Sequence, residues 1–117
     1  MQKTQLRLQK TGSADSPDYI FVKSEHRVLR VNYGDILYIE GKKDYVALHT
    51  PEQTIDTLLT LTAFLDKLPA SNFIRVHRSF IIAINKITSI ERNSIFIGQV
   101  KIPIGDLFRD DLFKRIG

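Results

Sequence analysis

From Tyr19 onward, short apolar runs rich in Val, Ile, Phe and Tyr follow one another at close spacing, separated by Gly, Pro, Asn and Asp. Runs of that length bounded by turn formers read as β-strands. The pattern predicts strands over 19–23, 27–31, 36–40, 45–49 and 54–57, with reversals at 24–26, 32–35, 41–44 and 51–53. An antiparallel meander is the simplest path through them.

The period then changes. Leu58, Leu61, Leu65 and Leu68, with Phe64 beside them, form one stripe of a short helix over about 58–68. Thr57 or Thr60 can cap its start, and Pro69 ends it. Strand patterning returns over 73–76, 80–84, 87–91, 94–97 and 100–102, with Gly98-Gln99 placed as a type II′ hairpin turn. Asp106 can cap a closing helix over about 106–116, whose Asp110 and Asp111 lie early and whose Lys114 and Arg115 lie in the last turn. The expected fold class is mainly β with two short helices.

At 117 residues and 43% hydrophobic, the chain suits a single domain. Residues 1–18 are mostly polar and read as a tail or interdomain linker, with the domain over 19–117. No apolar run approaches the roughly 20 residues of a membrane span, and the amino terminus lacks the apolar core of a secretion signal. The absence of cysteine excludes disulfides and thiolate metal sites and fits a cytoplasmic protein; three scattered histidines suggest no metal site. A net charge of +4 permits an anionic partner without requiring one.

Charge distribution says more than its total. Between Asp66 and Glu91 there is no acidic residue, while Lys67, Arg75, Arg78 and Lys86 are basic. Within that window Phe73–Ile87 is an apolar run interrupted by Arg75, His77, Arg78 and Ser79, which cannot all be buried unpaired. Ile81, Ile82 and Ile84 look like the buried footing of a small basic surface suited to phosphate oxygens or a base edge. A solvated strand edge would give the same composition. A second cluster, Lys42, Lys43, Asp44 and Tyr45, follows Gly41 in a loop; it fits phosphate contacts or an ordinary polar hairpin.

Catalytic patterns are weak. There is no nucleophile elbow, no H-E-x-x-H and no glycine-rich phosphate loop, and His77 and Ser79 have no orienting carboxylate in sequence. No enzyme activity and no cofactor are expected. A β-rich module for protein or single-stranded RNA is the alternative. Phe73, Phe80 and Phe96, which an RNA platform would expose, sit in apolar alternation that looks buried.

The succession IFVKSEHRVLRV, DILYIEGKKDYV, a leucine helix ending LDKLP, FIRVHRSFIIAINKI and KIPIGD before a helix resembles the LytTR DNA-binding domain over about 19–116. Its specific part is F-x-R-x-H-R-S with a downstream asparagine: Phe73, Arg75, His77, Arg78, Ser79 and Asn85. The resemblance implies an elongated arrangement of small antiparallel sheets and a bacterial response-regulator output domain in the cytoplasm, with a receiver domain upstream. It also implies paired half-sites on double-stranded DNA, a weakly binding monomer and a possible dimer on DNA. Loops would then enter the major groove. The contact positions carried over are Lys42, Lys43, Asp44 and Tyr45, then His77, Arg78 and Ser79 with Arg75, then Ile104, Gly105 and Asp106. At the last of these many members carry serine and arginine where this chain has Gly105 and Asp106, so Asp106 is expected to cap the helix and Arg109 to make the contact. Four to six neutralised phosphates would give a log–log salt slope of roughly −4 to −5.

Overall fold

The computed structural model describes residues 18–117; the expected tail lies outside the described residues except for Asp18. Among the described residues ten strands and two α-helices follow in order. Strands β1 (Tyr19–Ser24) and β2 (Arg27–Asn32) form a separate antiparallel hairpin. Then come β3 (Tyr38–Gly41), β4 (Val46–His49), β5 (Thr54–Thr57), α1 (Leu61–Leu65), β6 (Phe73–His77) and β7 (Phe80–Ala83). Strands β8 (Ser89–Glu91), β9 (Ser94–Ile97) and β10 (Val100–Pro103) precede α2 (Arg109–Ile116).

The expected mainly β class holds, but the simple meander does not. The central sheet has the order β5-β4-β3-β7-β6, so β3 pairs with β7 rather than with β2. The physical reason lies in β7: Phe80–Ala83 is apolar at every position, and such a strand is stable only where both faces are covered. Insertion beside β3 covers them. Ile81 and Ala83 join one core with Ile39, Leu48, Phe64 and Phe73, beneath the β1–β2 hairpin and α1. Ile82 joins Ile74, Val76, Ile95, Ile102 and Leu112 in a second core, beneath the three-stranded sheet β10-β9-β8 and α2.

Both helices are shorter than their apolar patterns suggest. Thr60 caps α1, its hydroxyl accepting from the Ala63 N–H at 3.0 Å, so the helix begins at Leu61 and Leu58 stands outside it, 80% exposed. The expected Asp106 cap is not formed. Residues Asp106–Phe108 make a 3-10 turn with Gly105 before it, and α2 starts only at Arg109, with no side-chain cap. Asp106 therefore contributes negative charge to a first turn instead of a capping hydrogen bond. Gly98 does adopt φ +62 between β9 and β10, as its turn position requires.

Candidate nucleic-acid interface

The three sequence-predicted regions come together at one end of the central sheet. The loop after β3 is closed by the Lys42 N–H donating to the Tyr45 carbonyl at 2.8 Å, leaving Lys43 and Asp44 exposed at its tip. Next to it, the Gly41 N–H donates to the Ser79 carbonyl at 2.7 Å. On the far side of β6, the Gly105 N–H donates to the Val76 carbonyl at 2.8 Å. The ends of β4, β3, β7 and β6 and the Gly105 loop thus make one row.

A β-bulge shapes the middle of that row. The register of β6 on β7 runs Phe73↔Ala83, Ile74↔Ile82, Arg75↔Ile81 and then His77↔Phe80, so Val76 is the extra residue. Strict alternation would put His77 on the face of Arg75. The bulge instead keeps it beside Phe80, ring centroids 5.6 Å apart. Phe80 in turn lies 6.3 Å from Tyr38, which stacks on His49 at 4.2 Å, so a diagonal aromatic row crosses four strands from the His77 turn to the opposite end of β3 and β4. Phe73 is buried as expected, whereas Phe80 and Phe96 are only partly covered.

Within the turn, the Ser79 N–H donates to His77 Nδ1 at 3.0 Å. A neutral His77 ring therefore carries its proton on Nε2, leaving that atom as a donor. Arg78, between them, is exposed.

Arg75 is placed differently from a surface cation. Its Nε donates to the His77 carbonyl at 3.3 Å, Nη1 to Thr62 Oγ1 at 3.0 Å, and Nη2 to the Arg78 carbonyl. The guanidinium also lies 5.9 Å from the Phe108 ring centroid. Three of its donors are spent on the fold, so Arg75 ties the turn to α1 and to the segment before α2. Asn85 also has a structural use: it exchanges two 3.1 Å hydrogen bonds with Asn72 where β6 begins and β7 ends, away from the row.

Electrostatics grade the remaining cations. Lys42 Nζ sits 3.2 Å from Glu40 Oε2, and the carboxylate raises the lysine pKa, chiefly by accepting its hydrogen bond. The other oxygen of Glu40 lies 3.5 Å from His49 Nε2. Lys43 and Arg78 are exposed and have no ion-pair partner among the described residues. Arg109 Nη1 donates to Asn93 Oδ1 at 2.6 Å, and its guanidinium lies 5.3 Å from the Phe113 ring centroid. That tether was not legible in sequence, because sixteen residues separate the partners.

The geometry is matched by kinship. Residues 26–117 fit the family described as the LytTr DNA-binding domain. The chain belongs to the LytTR family. It is 35% identical over 98 residues to the sensory transduction protein LytT of Bacillus anthracis, covering 79% of this chain and 40% of that protein. It is 29% identical over 111 residues to the transcriptional regulatory protein YpdB of Escherichia coli K12, covering 86% and 46%. The LytTR chain thus spans less than half the length of these two relatives. A solved LytTr DNA-binding domain from Bacillus cereus superposes with a TM-score of 0.75 at 23% identity, covering 87% of this chain and 99% of that one, and so shares its fold.

Proposed function

We propose that this LytTR domain binds duplex DNA sequence-specifically, as the output domain of a bacterial two-component response regulator in the cytoplasm. The observation that carries the reading is the single row made by the 42–45 loop, the 77–79 turn and the Gly105 loop through the Gly41–Ser79 and Gly105–Val76 hydrogen bonds. With neighbouring strands about 4.8 Å apart, four steps from Val46 to Gly105 span about 19 Å, or about six base pairs at 3.4 Å each.

Arg78, and the His77 Nε2–H, are the groups offered to base edges; Lys42, Lys43 and the Ser79 hydroxyl suit phosphate or sugar oxygens. Asp44 and Tyr45 shape the first loop, and Tyr45 is half-buried against the sheet. Arg75 is a positioning residue, and Gly105 lets the third loop approach β6: a Cβ there would lie 3.1 Å from Phe108 Cδ2 and 3.5 Å from the His77 Cα. The function has no catalytic step and uses no cofactor. An upstream receiver domain would regulate it by pairing two domains on repeated half-sites, since effective concentration multiplies two weak affinities.

Selection from a random duplex library tests the reading. Recovery of a repeated motif that outcompetes single strands of the same length is the expected result. Equal binding to all duplexes, or preference for single strands, would overturn it.

A further inference from the structure

We propose that Arg92, in the turn between β8 and β9, contacts a DNA backbone phosphate beside the third loop; the inference rests on the DNA reading above. In the loop itself Asp106 is exposed and negatively charged, while Arg109 spends one donor on Asn93 and lies beside the Phe113 ring, leaving Arg92 as the cation with none of its donors committed to a carboxylate among the described residues.

The turn carrying Arg92 is fastened to that loop. The Ile104 N–H donates to the Asn93 carbonyl at 2.8 Å, and the next residue, Gly105, donates its N–H to Val76. Ser94 pairs with Pro103 just below. Residues 92–93 therefore occupy the next place in the row beyond Gly105, about 4.8 Å further on.

Arg92 is exposed and holds φ +55, in the left-handed region that glycine enters freely and arginine only with strain. A turn chosen for stability alone would favour glycine or asparagine at that position. Glu25 holds the same φ of +55 in the β1–β2 turn, so what singles out Arg92 is its charge and its place beside the row. Among the described residues no carboxylate lies within ion-pairing distance of the guanidinium. Its neighbour Glu91 pairs with Ser94 in the β8–β9 ladder. An unpaired, always-charged fork at the end of a row of DNA-facing loops suits a phosphate oxygen, the anion that repeats along the duplex whatever its sequence.

The test uses the whole chain with two probes: a duplex recovered by random-library selection and a scrambled duplex of the same length. Arg92→Gly should melt at an unchanged or higher temperature, lose several-fold in affinity equally on both probes, and reduce the log–log salt slope by about 1. Arg92→Lys should keep the slope. An unchanged slope and affinity for Arg92→Gly overturns the inference, as does a loss confined to the selected duplex or one accompanied by a lower melting temperature. Failure of the unsubstituted protein to bind either duplex overturns the DNA reading and this inference together.

Discussion

The Gly41 N–H donates to the Ser79 carbonyl at 2.7 Å, joining two loops whose residues are nearly forty positions apart in sequence. The bond uses backbone atoms only, so the side chain at 41 is free to vary. Gly41 is not at positive φ, and an added Cβ would meet Leu61 Cδ2 at 3.5 Å, an ordinary contact. Gly41→Ala should therefore raise stability by about 0.4–1 kcal/mol in urea denaturation and leave DNA affinity unchanged. A large loss of affinity would mean that the loop needs glycine's freedom after all.

Arg75 separates fold from contact. Its guanidinium serves two carbonyls and the Thr62 hydroxyl, all of which lose a donor in Arg75→Ala. Chemical denaturation should show a loss of about 1–3 kcal/mol. Arg75→Lys should not restore it, because an ammonium cannot reproduce the planar fork. Full stability in the alanine variant would return Arg75 to the list of surface contacts.

Arg78 should behave in the opposite way. Its side chain is exposed, so Arg78→Ala should change stability by less than about 0.5 kcal/mol. Binding to a selected duplex should weaken by about 1–3 kcal/mol, with preference relaxed at one base position. Equal loss on every duplex would make Arg78 a phosphate contact.

Removing Arg75 from the contact set also lowers the expected salt dependence. With Lys42, Lys43 and Arg92 as the cations left for phosphates, log affinity should fall with log salt at a slope of about −3. A flat response in a salt titration would exclude phosphate contact by this row.

Tyr38 gives the fold an alkaline limit. Burial, then the nearby Glu40 carboxylate, raises its pKa above the ordinary 10.0, against a smaller opposing effect of Lys42. The unfolded chain therefore loses this proton first. The stability it contributes is complete below pH 10.0 and falls as pH rises from there through the folded-state value. Denaturation midpoints measured across that range should fall less steeply for Tyr38→Phe than for the unsubstituted chain.

Much of the architecture was legible because it is local. Short strands, a threonine cap for α1, the Gly98 turn and the charge order of α2 follow from neighbours within a few residues, where conformational preference acts directly; of Thr57 and Thr60, the fold uses Thr60. The family pattern and the basic loops were legible for the same reason: their residues stand side by side in the chain. The leucine pattern overran α1 at its start, where Thr60 sets the first turn, and at its end, where the Lys67 and Leu68 N–H groups bond three residues back in turns instead of continuing the helix.

By itself, then, the sequence determined a mainly β domain of short strands with basic residues concentrated in two segments. Tertiary structure decided how those segments are used. Pairing of β7 with β3 depends on burying both faces of Phe80–Ala83, and that insertion brings Ser79 to Gly41. The bulge at Val76 turns His77 toward Phe80, and acceptors take three donors of Arg75 but one of Arg109. Which arginine is free for a partner depends on the acceptors that folding brings within about 3 Å of it. Spacing along the chain does not report that distance.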